Sequence, residues 1–200
     1  MSKSHAGSLL LIALTLLTAG CEKPVTPAQK VDACSLLTNE DVASIQGTTI
    51  SASKGSSGSG GGMFVSQCVY ASTEPNKSVG ITLNELEANS PSQRSPTAFW
   101  EETFARFRKG DQDDTESEKR KRDSLQEKQR EEKEDEVIPP IKVEGVGDEA
   151  FWSPTRVGGA LYVLKRSRDA FIRISVGGPG TDQEKMEKSK RLAIKALKRL

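Results

Sequence analysis

The chain of 200 residues sets 29 Lys+Arg against 28 Asp+Glu and carries a single His and three Cys. A formal charge of +1 removes nucleic acid from the expected partners, because that affinity depends on a basic surface that neutralises phosphates. The one histidine, His5, precedes the apolar run Leu9 to Leu17; a chain cut after Gly20 has no imidazole, which excludes Ser-His-Asp and Cys-His catalysis and histidine-bearing zinc sites.

Residues 1–20 read as an export signal: Lys3 in a short polar start, the apolar run, then small Ala19 and Gly20 before Cys21. The run falls well short of the roughly 20 apolar residues a membrane-spanning helix needs. Thr18-Ala19-Gly20-Cys21 resembles the lipobox of bacterial lipoproteins, with Thr18 standing where most of them have Leu. That resemblance implies that Cys21 is lipidated and opens the mature chain, which would make a membrane its first partner. Two or three acyl chains suffice, since each buried methylene contributes about 0.8 kcal/mol. Glu22, where enterobacterial lipoproteins kept at the inner membrane have Asp, points to the periplasmic side of the outer membrane, or to the cytoplasmic membrane in a single-membrane cell. The plainer alternative is an ordinary signal peptide that leaves Cys21 as a free or bridged thiol.

Cys34 and Cys68 remain, with no Cys-x-x-Cys spacing. In an oxidising compartment they most simply bridge each other, a closure that contributes about 3 to 4 kcal/mol. A redox-active thiol is the competing reading, and it would want a nearby cation.

Residues 21–31, with Pro24 and Pro27, read as a tether, and 32–200 as one α+β domain. Thr38 with Asp41 predicts a capped helix over Asn39 to Gln46, stopped by Gly47. A strand is expected over Thr48 to Ser53, followed by a flexible connection through the Gly/Ser run 55–62. That run is no phosphate loop, because Met63-Phe64-Val65 follows it instead of Lys-Ser/Thr opening a helix. Met63 to Ala71 and Ser78 to Leu86 predict a hairpin turning at Pro75-Asn76, with Val79, Ile81 and Leu83 alternating onto one face. Ser95-Pro96 opens a second helix whose Trp100, Phe104 and Phe107 recur on a core stripe.

Residues 109–136 hold 20 charged side chains of 28 and one large aliphatic, Leu125. Such a segment cannot join a core, and reads as a solvated insertion, helical or disordered, or as a docking arm. After Pro139-Pro140, strands are expected near Ala150 to Trp152, Ala160 to Arg166 and Ala170 to Val176. The Thr181 to Glu184 capping box opens a last helix to Leu200, with Met186, Ala193, Leu197 and Leu200 inward and a basic outer side.

Cys34-Ser35-Leu36-Leu37-Thr38 with Asp41-Val42, Gly47 and Cys68, then Gly145 to Trp152 and Gly159 to Val163, resembles a group of uncharacterised bacterial lipoproteins with a domain of unknown function. The resemblance spans most of residues 32–200 apart from the charged insertion. It implies a PsbP-like fold, a Cys34 to Cys68 bridge and no catalytic residues; separately, no cofactor is expected. The expected architecture is α+β, a single antiparallel sheet of five to six strands with helices packed on one face.

With imidazole gone, carboxylates or an oxygen-ligated metal are the chemistry left. Asp148 and Glu149 are the best placed acids, but neighbours on a strand point to opposite faces and cannot form a glycosidase pair alone. Neither they nor Asp111 to Asp114 complete a calcium loop, so no metal is expected. If a ligand binds, Asp148, Phe151, Trp152 and Tyr162 are the candidates. The expected function is a non-enzymatic envelope lipoprotein that binds a protein partner or small ligand. A carboxylate-only hydrolase and a structural spacer acting through its charged insertion are the alternatives.

Overall fold

Thr38 begins the first described helix as its residue type dictates: its hydroxyl accepts from the amide of Asp41 at 3.1 Å while the Asp41 carboxylate accepts from the Thr38 amide at 3.2 Å. This is the N-terminus of α1, Asn39–Gln46, which Gly47 ends at φ +73. The computed structural model describes residues 30–74, 76–87, 94–108, 138–155 and 158–200. The signal segment, Cys21, nearly all of the tether and the charged insertion 109–136 lie outside the described residues. Among the described residues no helix is long and apolar enough to cross a membrane.

Among the described residues seven strands form one antiparallel sheet: β1 Ile50–Gly60, β2 Met63–Ser72, β3 Val79–Leu86, β4 Ile141–Lys142, β5 Glu149–Thr155, β6 Gly158–Lys165 and β7 Ala170–Val176. Their order across the sheet is β1-β2-β3-β7-β6-β5-β4. The expected five to six strands are therefore corrected to seven, β4 being a two-residue edge pairing Ile141 with Trp152 and Lys142 with Phe151. The expected flexible Gly/Ser connection is corrected as well. From Lys54 to Gly60 it pairs residue by residue with β2, because a ladder is made by backbone amides and carbonyls and needs no side chain.

Alternation along the central strands decides where the helices go. Ile172, Ile174 and Val176 of β7 join Ile81 and Leu83 of β3, Leu161 and Val163 of β6 and Trp152 of β5 in the larger core. On the intervening positions, Phe171, Leu164 and Phe151 form a second cluster on the other face. Both faces are apolar, so both need cover, and helices on one face only is a reading the structure corrects. α1 and α3, Asp182–Leu197, cover the first face through Val42, Ile45, Leu192, Ala193 and Ala196. α2, Pro96–Phe104, covers part of the second through Trp100 and Phe104. Burying each such large side chain contributes about 1.5 to 3 kcal/mol.

The predicted ends of α2 and α3 appear as polar bonds. The Ser95 hydroxyl accepts from the Ala98 amide at 3.3 Å, and Thr181 and Glu184 exchange the reciprocal bonds of a capping box. α3 ends at Leu197, a turn short of the expected Leu200. Asp41 joins two helices, taking Lys195 at 2.9 Å and Arg199 at 2.6 Å. Burial works to raise its pKa, yet these two cations hold its carboxyl below the usual range.

Cys34 and Cys68 form a disulfide with Cα atoms 5.0 Å apart, tying a short 3-10 turn, Ala33–Ser35, to β2. Gly55 packs closely there, since a Cβ on it would lie 3.1 Å from Cys34 Sγ. Beside the bridge the buried Tyr70 hydroxyl donates to the Leu37 carbonyl at 2.8 Å, and burial pushes its pKa up to about 12.

Candidate functional site

The polar chemistry of the described residues concentrates where β5 begins. Asp148 is the last residue before that strand; its amide donates to the Leu164 carbonyl at 3.0 Å and its carboxylate accepts from the Arg166 amide at 2.7 Å. Asp148 thereby closes the β5–β6 end as a turn residue. Glu149, the next residue, points the other way, beneath α2.

There Glu149 accepts from the indole N–H of Trp100 at 2.7 Å and from Arg108 through Nε at 2.6 Å and Nη2 at 2.7 Å. Arg108 also grips Glu101, Nη2 to Oε1 at 2.7 Å, and Arg166 reaches Glu101 at 3.0 Å and Glu149 at 3.4 Å. Two carboxylates thus alternate with two guanidiniums around one indole. Glu149 is the buried member, its side chain 9% exposed. The bonds from Arg108, against the opposing effect of burial and with help from Trp100, hold its carboxyl below the usual range. The same guanidinium brings Glu101 down to about 2. Arg108 is shifted upward by Glu149 and Glu101 and stays a cation at any working pH.

Above this cluster the loop from Lys142 to Glu149, with Arg166, encloses a hollow of about 240 Å³. Gly145 and Gly147 shape it at φ +77 and +62. Gly147 is also pinned by contact, because a Cβ there would lie 2.3 Å from Val163. Among the described residues no three His, Cys, Asp or Glu side chains group to hold a metal ion.

The four residues expected to line a ligand surface do not come together. Phe151 and Trp152, both fully buried, sit on opposite faces of the sheet, in the smaller and the larger core respectively. Phe151 stacks on Phe104 at 5.1 Å between ring centroids. Trp152 rests on Gly159, where a Cβ would fall 2.3 Å from the indole, and its N–H has no hydrogen-bond partner among the described residues. Asp148 lines the hollow. Tyr162 is half-buried on the α2 side, its hydroxyl accepting from Arg173 Nε at 3.2 Å.

What sequence reasoning missed is the ring of Trp100, Glu101, Arg108 and Arg166 around Glu149. Trp100 signalled a core position, which it has, and nothing in the spacing connects Arg108 to a carboxylate 41 residues away. The retrievable signal is the pair Trp100-Glu101 followed by Arg108: helical spacing returns Arg108 to the Glu101 side two turns later.

No protein-family model, curated protein or solved structure matches this chain.

Proposed function

We propose that this chain is an exported lipoprotein, held to a bacterial envelope membrane through lipid on Cys21, that acts by binding a protein partner or small ligand and not by catalysis. The observation that carries the second half is the state of Glu149. A hydrolase working through carboxylates needs one of them protonated near neutral pH, held high by its surroundings. Glu149 and Glu101 are both displaced the other way by Arg108, so the acids grouped here have no proton to give. Export is supported by the Cys34 to Cys68 bridge, a cross-link that persists in oxidising compartments. Kinship with the uncharacterised bacterial lipoproteins, and with it a PsbP-like arrangement of the sheet, rests on the sequence resemblance at Cys34 to Thr38 and Gly145 to Trp152.

The test has two arms. Mass spectrometry of the native N-terminus should find diacylglycerol on Cys21, and Cys21→Ser should leave the membrane fraction. Crosslinking the intact lipoprotein in its own envelope should then capture a defined partner. An unacylated N-terminus overturns the anchor. Turnover of a cell-wall glycan that Glu149→Gln abolishes would put the hydrolase reading in its place, and a partner lost only on deletion of 109–136 would favour the spacer.

A further inference from the structure

We infer that β1 is a docking edge that takes up an extended segment of a partner protein as an eighth strand. The inference rests on the reading that the chain works by binding, and it names where and with what chemistry.

Among the described residues β1 ends the sheet, and every residue from Ser51 to Gly60 is exposed although the strand is paired with β2 along its length. Proteins usually guard such an edge with proline, charge, bulges or brevity. Here a bulge near Ile50 and the charge of Lys54 guard the first part, Gly55 to Ser57 carry neither, and the only charges near Gly58 to Gly60 among the described residues are Lys30 and Glu87, paired with each other and bonded to Ser59. The glycines are not all explained from within. Gly55 makes room for the disulfide, but Gly58 and Gly60 have no atom within 4 Å of a built Cβ and no left-handed φ. A glycine inside a strand weakens it, and among the reasons for one are a bulge, a bend and the close approach of another backbone; Gly58 pairs in register with Val65, which leaves the last.

An independent observation gives the occupant's chemistry. Residues directly opposite share a face, so Lys54 and Gly58 lie on the side of their partners Val69 and Val65. Val69 is 41% exposed, and α2 covers that face only further along the sheet. With Gly58 lacking a side chain, a bulky apolar group on an added strand reaches across it to Val65, the way cross-strand aromatics shield strand glycines. Lys54, four residues earlier on the same face, calls for a carboxylate. The complementary segment is extended, carries an aromatic and an acid four residues apart, and bonds through its backbone.

A second copy of the chain fits less well. Antiparallel β1–β1 pairing would set one Ile50–Gly60 against another, and that strand contains no acidic residue to meet Lys54 and no aromatic to lie across Gly58.

The test uses the lipidated full chain and a synthetic Thr-rich peptide carrying Phe and Glu four residues apart. Amide exchange in 55–60 should slow on peptide addition. Phe→Ala in the peptide should weaken binding about fivefold, and N-methylation of alternate peptide amides should abolish it. Gly58→Lys, which meets no steric obstacle, should lose binding with its disulfide and circular dichroism unchanged. Unchanged exchange with all peptides overturns the inference, and a dimer paired through β1 overturns the choice of occupant. A partner crosslinked to wild type and retained by Gly58→Lys sinks the edge but leaves the binding reading intact. Failure to capture any partner removes that reading and this inference together.

Discussion

The indole N–H of Trp100 donates to the carboxylate of Glu149 at 2.7 Å, so the largest side chain of the smaller core is also a polar tie between α2 and the start of β5. Few positions combine an apolar and a polar duty so closely, and the two can be separated by substitution. Trp100→Phe keeps most of the buried area and removes the donor; it should cost about 1 to 3 kcal/mol of unfolding free energy. Trp100→Ala removes both and should cost about 3 to 5. Urea denaturation of the two variants checks the ordering, and an undiminished stability in Trp100→Phe would mean that the bond contributes nothing.

The carboxylates of that cluster set an acid limit. Glu149 and Glu101 have folded-state pKa values below their unfolded ones, so the folded protein holds their protons less tightly than the unfolded chain does. Their contribution is therefore present above the unfolded values and is lost as pH falls through the folded ones. For Glu101 that window runs from pH 4.5 down to about 2. Melting temperature should decline across it, and Glu101→Gln together with Glu149→Gln should flatten the decline while lowering stability at neutral pH.

Two glycines make opposite predictions. Gly159→Ala drives a methyl into the Trp152 ring and should destabilise by about 1 to 3 kcal/mol. Gly58→Ala meets open space and should be neutral, or stabilising by up to about 1 kcal/mol through the unfolded chain. Thermal unfolding of the pair compares crowding with freedom in one sheet.

Replacing Cys34 and Cys68 together by serine opens a loop with a sequence separation of 34, which should lower stability by about 4 kcal/mol. The Tyr70 hydroxyl bond to Leu37 remains to hold the turn, so the variant should fold, with a lower denaturation midpoint and unchanged secondary structure.

Local chemistry was legible in the sequence and tertiary economy was not. Thr38, Gly47, Ser95 and Thr181 marked three helix starts and one stop because caps act within four residues. The alternation Val79, Ile81, Leu83 marked its face for the same reason. The strand through Gly55 to Gly60 was hidden, since a residue without a side chain carries no periodicity and only its neighbour β2 makes it a strand. Placement of α2 on the second face was hidden too: Phe171 sits among Ile172 and Ile174 in an apolar run whose two faces separate only once the sheet is formed. The Glu149 cluster escaped because its members come from α2, the turn after it, β5 and the turn after β6, a meeting that no spacing encodes.

The way the chain enters the sheet has a mechanical consequence. Lys30 pairs with Glu87, the Val31 amide donates to Glu85, the Ala33 amide donates to Ser66, and Cys34 is bonded to Cys68. A pull on the N-terminus is thus taken first by hydrogen bonds and an ion pair and then by a covalent link. The covalent part of the load passes to β2 in the sheet interior, and the edge strand β1 shares in it only through the Ser59 hydroxyl bond to Glu87.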